Sequence, residues 1–76
     1  MVHELKILPK FYAAVVSGEK RFELRYNDRD FKVGDELHLC EWADGKYTGR
    51  ATMVKVTFIY NVSLGLDREY CIMSIR

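Results

Sequence analysis

Most of the chain alternates between hydrophobic and polar residues, a period that predicts strands. The segment from His3 to Leu8 alternates in this way and is predicted to be a short strand that Pro9 ends. A helix of about three turns at most is expected next, because proline suits the first helical turn and Ser17-Gly18 provides a stop. The apolar stripe of this helix consists of Phe11, Tyr12, Ala14, Val15 and Val16.

The segment from Lys20 to Asn27 has the period of a half-buried strand, and its polar face is the unusual one. One face carries aromatic and aliphatic side chains: Phe22, Leu24 and Tyr26. The other face carries polar side chains, most of them charged: Arg21, Glu23, Arg25 and Asn27. A turn or loop is expected to follow, from Asn27 to Asp30.

A tight turn and a third strand come next. Phe31 and Val33 are expected to anchor the chain before Gly34, which can adopt the positive φ of such a turn. A strand is predicted from Glu36 to Ala43, and a hairpin at Asp44-Gly45 joins it to its successor. The two faces of this strand carry Leu37 and Leu39 on one side and His38, Cys40 and Trp42 on the other.

The last two strands are predicted from Arg50 to Tyr60, after Thr48-Gly49, and from Glu69 to Ile75. A loop around Gly65, from Asn61 to Arg68, is expected between them. In the first of these strands we expect Val54, Val56 and Phe58 to point inward and Met53, Lys55 and Thr57 outward. In the second, Tyr70 and Ile72 share one face, and Cys71, Met73 and Ile75 share the other.

The order of strand, helix and four further strands predicts a small mixed α+β fold. We expect a β-barrel of about five strands with the helix packed over one opening. All 76 residues are expected to form a single domain, because a chain this short has room for one core. A closed barrel suits a small fold that lacks disulfides or metals to stabilise it.

Composition excludes some classes of partner. With 49% hydrophobic residues, 30% charged residues and a formal charge of +1, the chain fits a soluble globule without a broad basic surface for a long duplex. Residues 20–32 nevertheless hold five positive charges against three negative, and residues 35–44 hold four acids and no base. A local anionic partner or a solvated surface explains this segregation equally well. With no apolar run near 18 residues and no signal-peptide pattern, we expect a cytoplasmic monomer without membrane contact.

Cysteine and histidine residues are too few and too scattered to predict a metal site. Cys40 and Cys71 lack the Cys-x-x-Cys spacing of zinc sites and are expected to be small, reduced, half-buried hydrophobes. His38 and Cys40 share a strand face, but with His3 they do not supply a full ligand set. We therefore expect neither a metal nor a cofactor.

One dense polar group stands out, at Lys20, Glu23 and Arg25. Glu23 and Arg25 are two apart on a strand and project from the same face, while Lys20 lies at the corner between helix and strand. A lysine, a carboxylate and a guanidinium that converge on one cleft can hold a planar polar group such as a nucleobase. An exposed ion pair that needs no ligand is the alternative, and spacing by itself favours it.

Resemblance to a known family favours the ligand-binding cleft over the exposed ion pair. The segment Gly18-x-Lys20-x-x-Glu23-x-Arg25 resembles the G-x-K-x-x-E-x-R signature of the ASCH domain, a PUA-like β-barrel family. The Val33-Gly34-Asp35 turn and the strand after it look like those of the same superfamily. The chain is most similar to a small single-domain subfamily of bacteria and phages, through His3-Glu4-Leu5-Lys6-Ile7, Asn27-Asp28-Arg29-x-Phe31 and Glu41-Trp42. This resemblance covers essentially the whole chain.

The resemblance implies a cleft between helix and barrel that binds RNA or a nucleotide-like ligand. It implies that Lys20, Glu23 and Arg25 line this cleft. We add Arg29 as a phosphate-binding or stacking group on the adjoining loop. Trp42 is added as an aromatic platform, or else as a ring that covers the end of the barrel.

Two other functions remain open. Some ASCH-type proteins look like amidohydrolases that use a lysine, a threonine nucleophile and a distant glutamate. Here Lys20 matches, but Glu23 occupies the nucleophile position, and a carboxylate is a poor replacement for an alkoxide. Glu23 beside Lys20 could still act as a general base in a different hydrolysis. A phage-type protein-interaction module is the third hypothesis.

Overall fold

The computed structural model describes residues 1–63 and 69–76, and it confirms a small mixed α+β fold with one helix and five strands. The elements are β1 (Val2–Ile7), α1 (Pro9–Ser17), β2 (Phe22–Tyr26), β3 (Glu36–Ala43), β4 (Lys46–Ser63) and β5 (Glu69–Ile75). β4 is longer than predicted at both ends, since it includes Thr48-Gly49 and continues past Asn61. The remainder of the predicted loop, residues 64–68, lies outside the described residues.

The sheet is ordered β1-β3-β4-β5-β2, so β1 and β2 form its two edges. β1 runs parallel to β3, and the other neighbouring strands are antiparallel. The sheet is not closed, because no backbone ladder joins β1 to β2 in the described part of the chain. We call the opening between these two edge strands the seam.

A bulge in β4 changes which side chains face the core. The register of β4 shifts between Val56 and Phe58, at the point where its pairing passes to β5. Such a bulge inserts an extra residue and reverses the alternation beyond it. Phe58 is therefore 60% exposed, and the prediction that it points inward is wrong. Ile59 packs against the core instead, while Val54 and Val56 are buried as predicted.

The core is formed by the inner faces of the sheet, with α1 packed against β3 and β4. The predicted faces of β3 and β5 are confirmed, since Leu37, Leu39, Cys71, Met73 and Ile75 are all buried. Phe31 is also buried, but Val33 is 61% exposed, so only one of the two expected anchors reaches the core. Both cysteines are free, with Cys71 buried and Cys40 half-buried.

Helix α1 and the hairpin have the ends that the sequence predicts. Pro9 begins the helix, and Gly18 ends it at φ 85°, with its N–H donated to Val15 O. The hairpin residues Asp44 and Gly45 both have positive φ, 54° and 79°, as a type I′ turn requires. No helix among the described residues has the length and apolar character needed to cross a membrane.

A buried polar contact ties the start of β1 to the turn before β3. His3 Nε2 donates a hydrogen bond to Asp35 Oδ2 at 2.8 Å, and Lys32 N–H donates to the same oxygen at 3.1 Å. The hydrogen bond from His3 lowers the pKa of Asp35 below its ordinary value, and the Lys32 N–H lowers it further, against the opposing effect of desolvation. The fold therefore favours the ionised carboxylate.

Asp35→Asn is expected to lower the Tm by about 5 °C or more at neutral pH and to reduce the loss of stability on acidification. Because the folded pKa lies below the unfolded one, the carboxylate stabilises the fold above about pH 4, and this contribution is lost as the pH falls further. Thermal unfolding between pH 7 and pH 3 measures both effects. Asp30→Asn is the control, since Asp30 is exposed and pairs with Lys32 Nζ at 3.2 Å. Equal acid sensitivity of Asp35→Asn and the unmodified protein would contradict the assignment.

Candidate functional site

The turn after α1 and the edge strand β2 place the motif side chains. Gly18 reverses the chain, and Lys20 N–H donates to Ala14 O at 3.0 Å, which fixes Lys20 beneath the end of the helix. β2 then begins at Phe22 and places Glu23 on its inner face. The short distance along the chain between helix end and strand brings Lys20 back over Glu23.

The alternation of β2 is confirmed, but its orientation is the reverse of an ordinary half-buried strand. Glu23 faces inward and is 4% exposed, whereas Phe22, Leu24 and Tyr26 face outward and remain largely exposed. A buried carboxylate is costly unless it is paired and hydrogen-bonded. The neighbouring cations provide that pairing.

Both oxygens of Glu23 are engaged by cations. Lys20 Nζ lies 2.7 Å from Glu23 Oε1, and Arg25 Nε lies 2.6 Å from Glu23 Oε2. Lys20 Nζ also donates to Phe22 O at 2.7 Å. Arg25 Nη2 donates to Lys6 O at 2.6 Å, so the guanidinium reaches from β2 across the seam to the end of β1. The seam is thus bridged by a charged side chain in place of a backbone ladder.

A cleft of about 390 Å³ opens at this seam. Its polar part consists of Lys20, Glu23 and Arg25 with Lys6. Its walls are apolar and come from the end of β1, the start of α1 and the outer edge of β2, at Ile7, Leu8, Phe11, Phe22 and Leu24. A few charged groups between apolar walls are typical of small-molecule sites.

The other two predicted site residues lie outside this lining. Arg29 is an exposed loop residue. Trp42 lies on the face of β3 away from the core, where its ring meets Tyr47 edge-on at a centroid distance of 4.8 Å. Lys6 Nζ lies 3.9 Å from the Trp42 ring centroid. Lys6 therefore links Trp42 to the cleft, although Trp42 is not part of its wall.

A second buried carboxylate, Glu41, pairs with the exposed Arg50 and was missed by the sequence reasoning. Glu41 is 1% exposed and accepts hydrogen bonds from Arg50 Nε at 2.9 Å, Arg50 Nη2 at 3.0 Å and Thr48 Oγ1 at 2.7 Å. The Thr48 hydroxyl, with further help from Arg50, lowers the pKa of Glu41 despite desolvation. The signal was available, because Glu41 continues the i, i+2 series of Leu37 and Leu39 on the buried face of β3.

The residues that the structure describes contain no cluster of three candidate metal ligands. No three His, Cys, Asp or Glu side chains within residues 1–63 and 69–76 converge on a point that could hold a metal ion. His38 and Cys40 are adjacent, with 3.7 Å between Cys40 Sγ and His38 Nδ1, and no third ligand joins them there.

Comparison with protein families gives a match over almost the whole chain. The family described as "Domain of unknown function (DUF3850)" matches residues 2–75. The chain belongs to this family. Every cleft residue lies within the matched part of this DUF3850 chain.

A phage protein is a relative of this DUF3850 chain. It is described as "Uncharacterized 12.9 kDa protein in GpA 3'region" of Escherichia phage P2, and it is 39% identical over 66 residues. The match covers 87% of the present chain and 61% of the phage protein, so the chain spans about three fifths of that relative's length.

Proposed function

We propose that the cleft at the seam binds RNA or a nucleotide-type ligand. The observation that carries this proposal is the buried carboxylate of Glu23, held by Lys20 at 2.7 Å and Arg25 at 2.6 Å inside a cleft with apolar walls. An exposed surface ion pair would contribute little and need no cleft around it. Here the network is mostly buried and its cations line the opening.

The two cations retain hydrogen-bonding capacity for a ligand. An ammonium carries three donors and a guanidinium five, and the protein contacts of Lys20 and Arg25 use only some of them. Glu23 fixes the position of both groups, so their remaining donors are held in place before a ligand arrives. Phosphate and base carbonyl oxygens are the acceptors that such donors suit.

The apolar walls suit the flat face of a base. Phe11 and Phe22 lie in the lining, on α1 and β2, and aromatic rings next to cations are a common platform for nucleobases. The volume of about 390 Å³ is near the lower end of the range for small-molecule sites, which is about 300–1,000 Å³. Its size favours one or a few nucleotides over a duplex.

We also propose that the fold is a PUA-like barrel of the ASCH type that is open at the seam. The supporting features are the motif from Gly18 to Arg25 directly after the helix, the turn at Gly34 with φ 97°, and the strand-helix opening. In this interpretation the Arg25 contact with Lys6 O replaces the backbone pairing that would close the barrel.

A hydrolase acting on a modified nucleoside is less well supported. Both oxygens of Glu23 accept hydrogen bonds from cations, so neither is free of a partner for attack or proton abstraction. Glu23 is better suited to positioning Lys20 and Arg25 than to reacting. Turnover of acylated nucleosides that Glu23→Gln abolishes would favour the enzyme.

The binding test compares the unmodified protein with the variant Lys20→Met/Glu23→Gln/Arg25→Met. This variant removes both cations and the buried charge together, so the fold is expected to survive while the ligand loses its partners. Ligand-observed NMR with nucleoside monophosphates and fluorescence anisotropy with short RNA oligonucleotides measure binding at low salt. We expect at least a tenfold loss of affinity in the variant, and weaker binding of the unmodified protein as salt rises.

Lys32→Gln is the matched control, because Lys32 is an exposed cation outside the cleft. It is expected to bind as the unmodified protein does. Absence of any binding by the unmodified protein at low salt would contradict the proposal. Equal losses in Lys32→Gln and the triple variant would also contradict it, since they would indicate non-specific attraction.

A further inference from the structure

The outer face of β2, β5 and β4 is a continuous apolar surface, here called the outer face. The strand registers align its side chains in rows across the three strands. Paired residues on neighbouring strands share one side of a sheet, so these side chains are neighbours. The rows are Phe22, Ser74 and Phe58, then Leu24, Ile72 and Tyr60, then Tyr26, Tyr70 and Val62.

The outer face carries large side chains and no charge. All of its members except Ser74 are apolar or aromatic. The six most exposed retain between 40% and 61% of their accessible surface: Phe22, Leu24, Tyr26, Phe58, Tyr60 and Ile72. Exposed hydrophobic residues are ordinary when scattered, but a contiguous patch marks an interaction surface.

The area is close to what a stable association needs. Side chains of this size bury about 150–250 Å² each, so the exposed halves of these six amount to roughly 600 Å². The largest apolar patch on a typical monomer is about 300–600 Å², and a standard interface takes about 800 Å² from each partner. The half-buried Tyr70 and Val62 add to this area, which lies at the upper end of the monomer range and approaches that of a standard interface.

We propose that a second copy of this chain packs on the outer face. A two-fold interface places the same patch against itself, and an uncharged patch meets its own copy without like-charge repulsion. Nucleic acid is a poorer fit, since a phosphate backbone needs cations and no member of the outer face provides one. This dimer departs from the monomer expected from the sequence, and it does not depend on nucleotide binding.

The dimer would also complete the cleft. Phe22 and Leu24 belong to the outer face and line the cleft as well, because β2 lies at the edge of the sheet. A copy packed over them would extend the apolar wall beyond β2 and reduce the access of water to the cleft. Dimerisation is therefore expected to strengthen the electrostatic contacts of Lys20 and Arg25 with a ligand.

The test uses sedimentation velocity to measure the mass of the protein in solution at concentrations from about 1 to 200 μM. The unmodified chain is expected to shift from 8.9 kDa to twice that mass as concentration rises. Ile72→Glu places a carboxylate in the central row, where it would meet the same residue of the other copy. We expect at least a hundredfold weaker dimer, with the far-UV circular dichroism spectrum and cooperative unfolding retained.

Met53→Glu is the matched control, because Met53 is a 47% exposed strand residue that pairs with His38 outside the outer face. It should dimerise normally. Tyr60→Arg repeats the test on a neighbouring strand if Ile72→Glu does not fold. A monomeric unmodified chain at 200 μM, a dimer that survives Ile72→Glu or Tyr60→Arg, or equal loss in Met53→Glu would overturn the proposal. So would a monomer that loses single-stranded RNA binding on Tyr60→Ala, which would identify the outer face as a base-stacking platform.

Discussion

Replacing Lys20 and Arg25 together with methionine is expected to lower the free energy of unfolding by about 3–5 kcal/mol. The change leaves Glu23, which is 4% exposed, without either of its cations. It also removes the hydrogen bond from Arg25 to Lys6 O that spans the seam. Urea unfolding followed by circular dichroism measures the loss.

The rescue experiment separates an uncompensated charge from lost packing. Adding Glu23→Gln to the same variant removes the buried charge and is expected to restore most of the stability, because a neutral replacement of a buried ion network is often tolerated. Lys32→Met is the control for loss of an exposed pair and should change stability by less than about 1 kcal/mol. If adding Glu23→Gln restores no stability, the unpaired charge of Glu23 is not the cause of the lower free energy of unfolding.

Arg50→Met is expected to lower the Tm by about 10 °C or more. Arg50 donates two hydrogen bonds to Glu41, which is 1% exposed, and without Arg50 the remaining hydrogen-bond donor to its carboxylate within residues 1–63 and 69–76 is Thr48. Differential scanning calorimetry at neutral pH measures the change.

The pH dependence provides a second readout for Arg50. The pKa of Glu41 is lowered by Thr48 and Arg50, so its carboxylate stabilises the fold at neutral pH and loses that effect as the pH falls through the folded pKa. Arg50→Met should therefore lose less stability on acidification than the unmodified protein. The double variant Glu41→Gln/Arg50→Met is expected to recover part of the Tm. An unchanged Tm in Arg50→Met would contradict the prediction, because it would show that the hydrogen bond from Thr48 is enough to stabilise the buried Glu41 carboxylate.

The ends of the helix and the position of the hairpin were predicted correctly, because residues at those positions determine them. Pro9 and Gly18 determine where the helix begins and ends, and Asp44-Gly45 determines the hairpin. The resemblance implied that Lys20, Glu23 and Arg25 line one cleft, although spacing by itself favoured an exposed ion pair, and the structure brings them into one cleft. The helix ends and the hairpin do not depend on distant parts of the chain, whereas the cleft also needs the end of β1, where Lys6 O accepts a hydrogen bond from Arg25.

The errors arose where tertiary pairing decides the outcome. Phe58 faces outward because β4 changes partner from β3 to β5 and forms a bulge on the way, which a strict period of two does not show. The orientation of β2 depends on Glu23 finding two cations, so hydrophobicity did not indicate which face is buried. The role of Trp42 stays a prediction, since Trp42 lies outside the lining of the cleft and meets it through Lys6, whose Nζ lies 3.9 Å from the Trp42 ring centroid.

The seam also has a consequence for aggregation. An open sheet exposes the backbone groups of its edge strands, which can recruit strands from other chains into fibrils. β2 is short, at five residues, and its inner face carries the Glu23 and Arg25 charges. Short edge strands and inward-pointing charges are two ways in which natural sheets prevent such growth. We therefore expect the ion pairs that line the cleft also to hinder the pairing of this edge with strands of other chains.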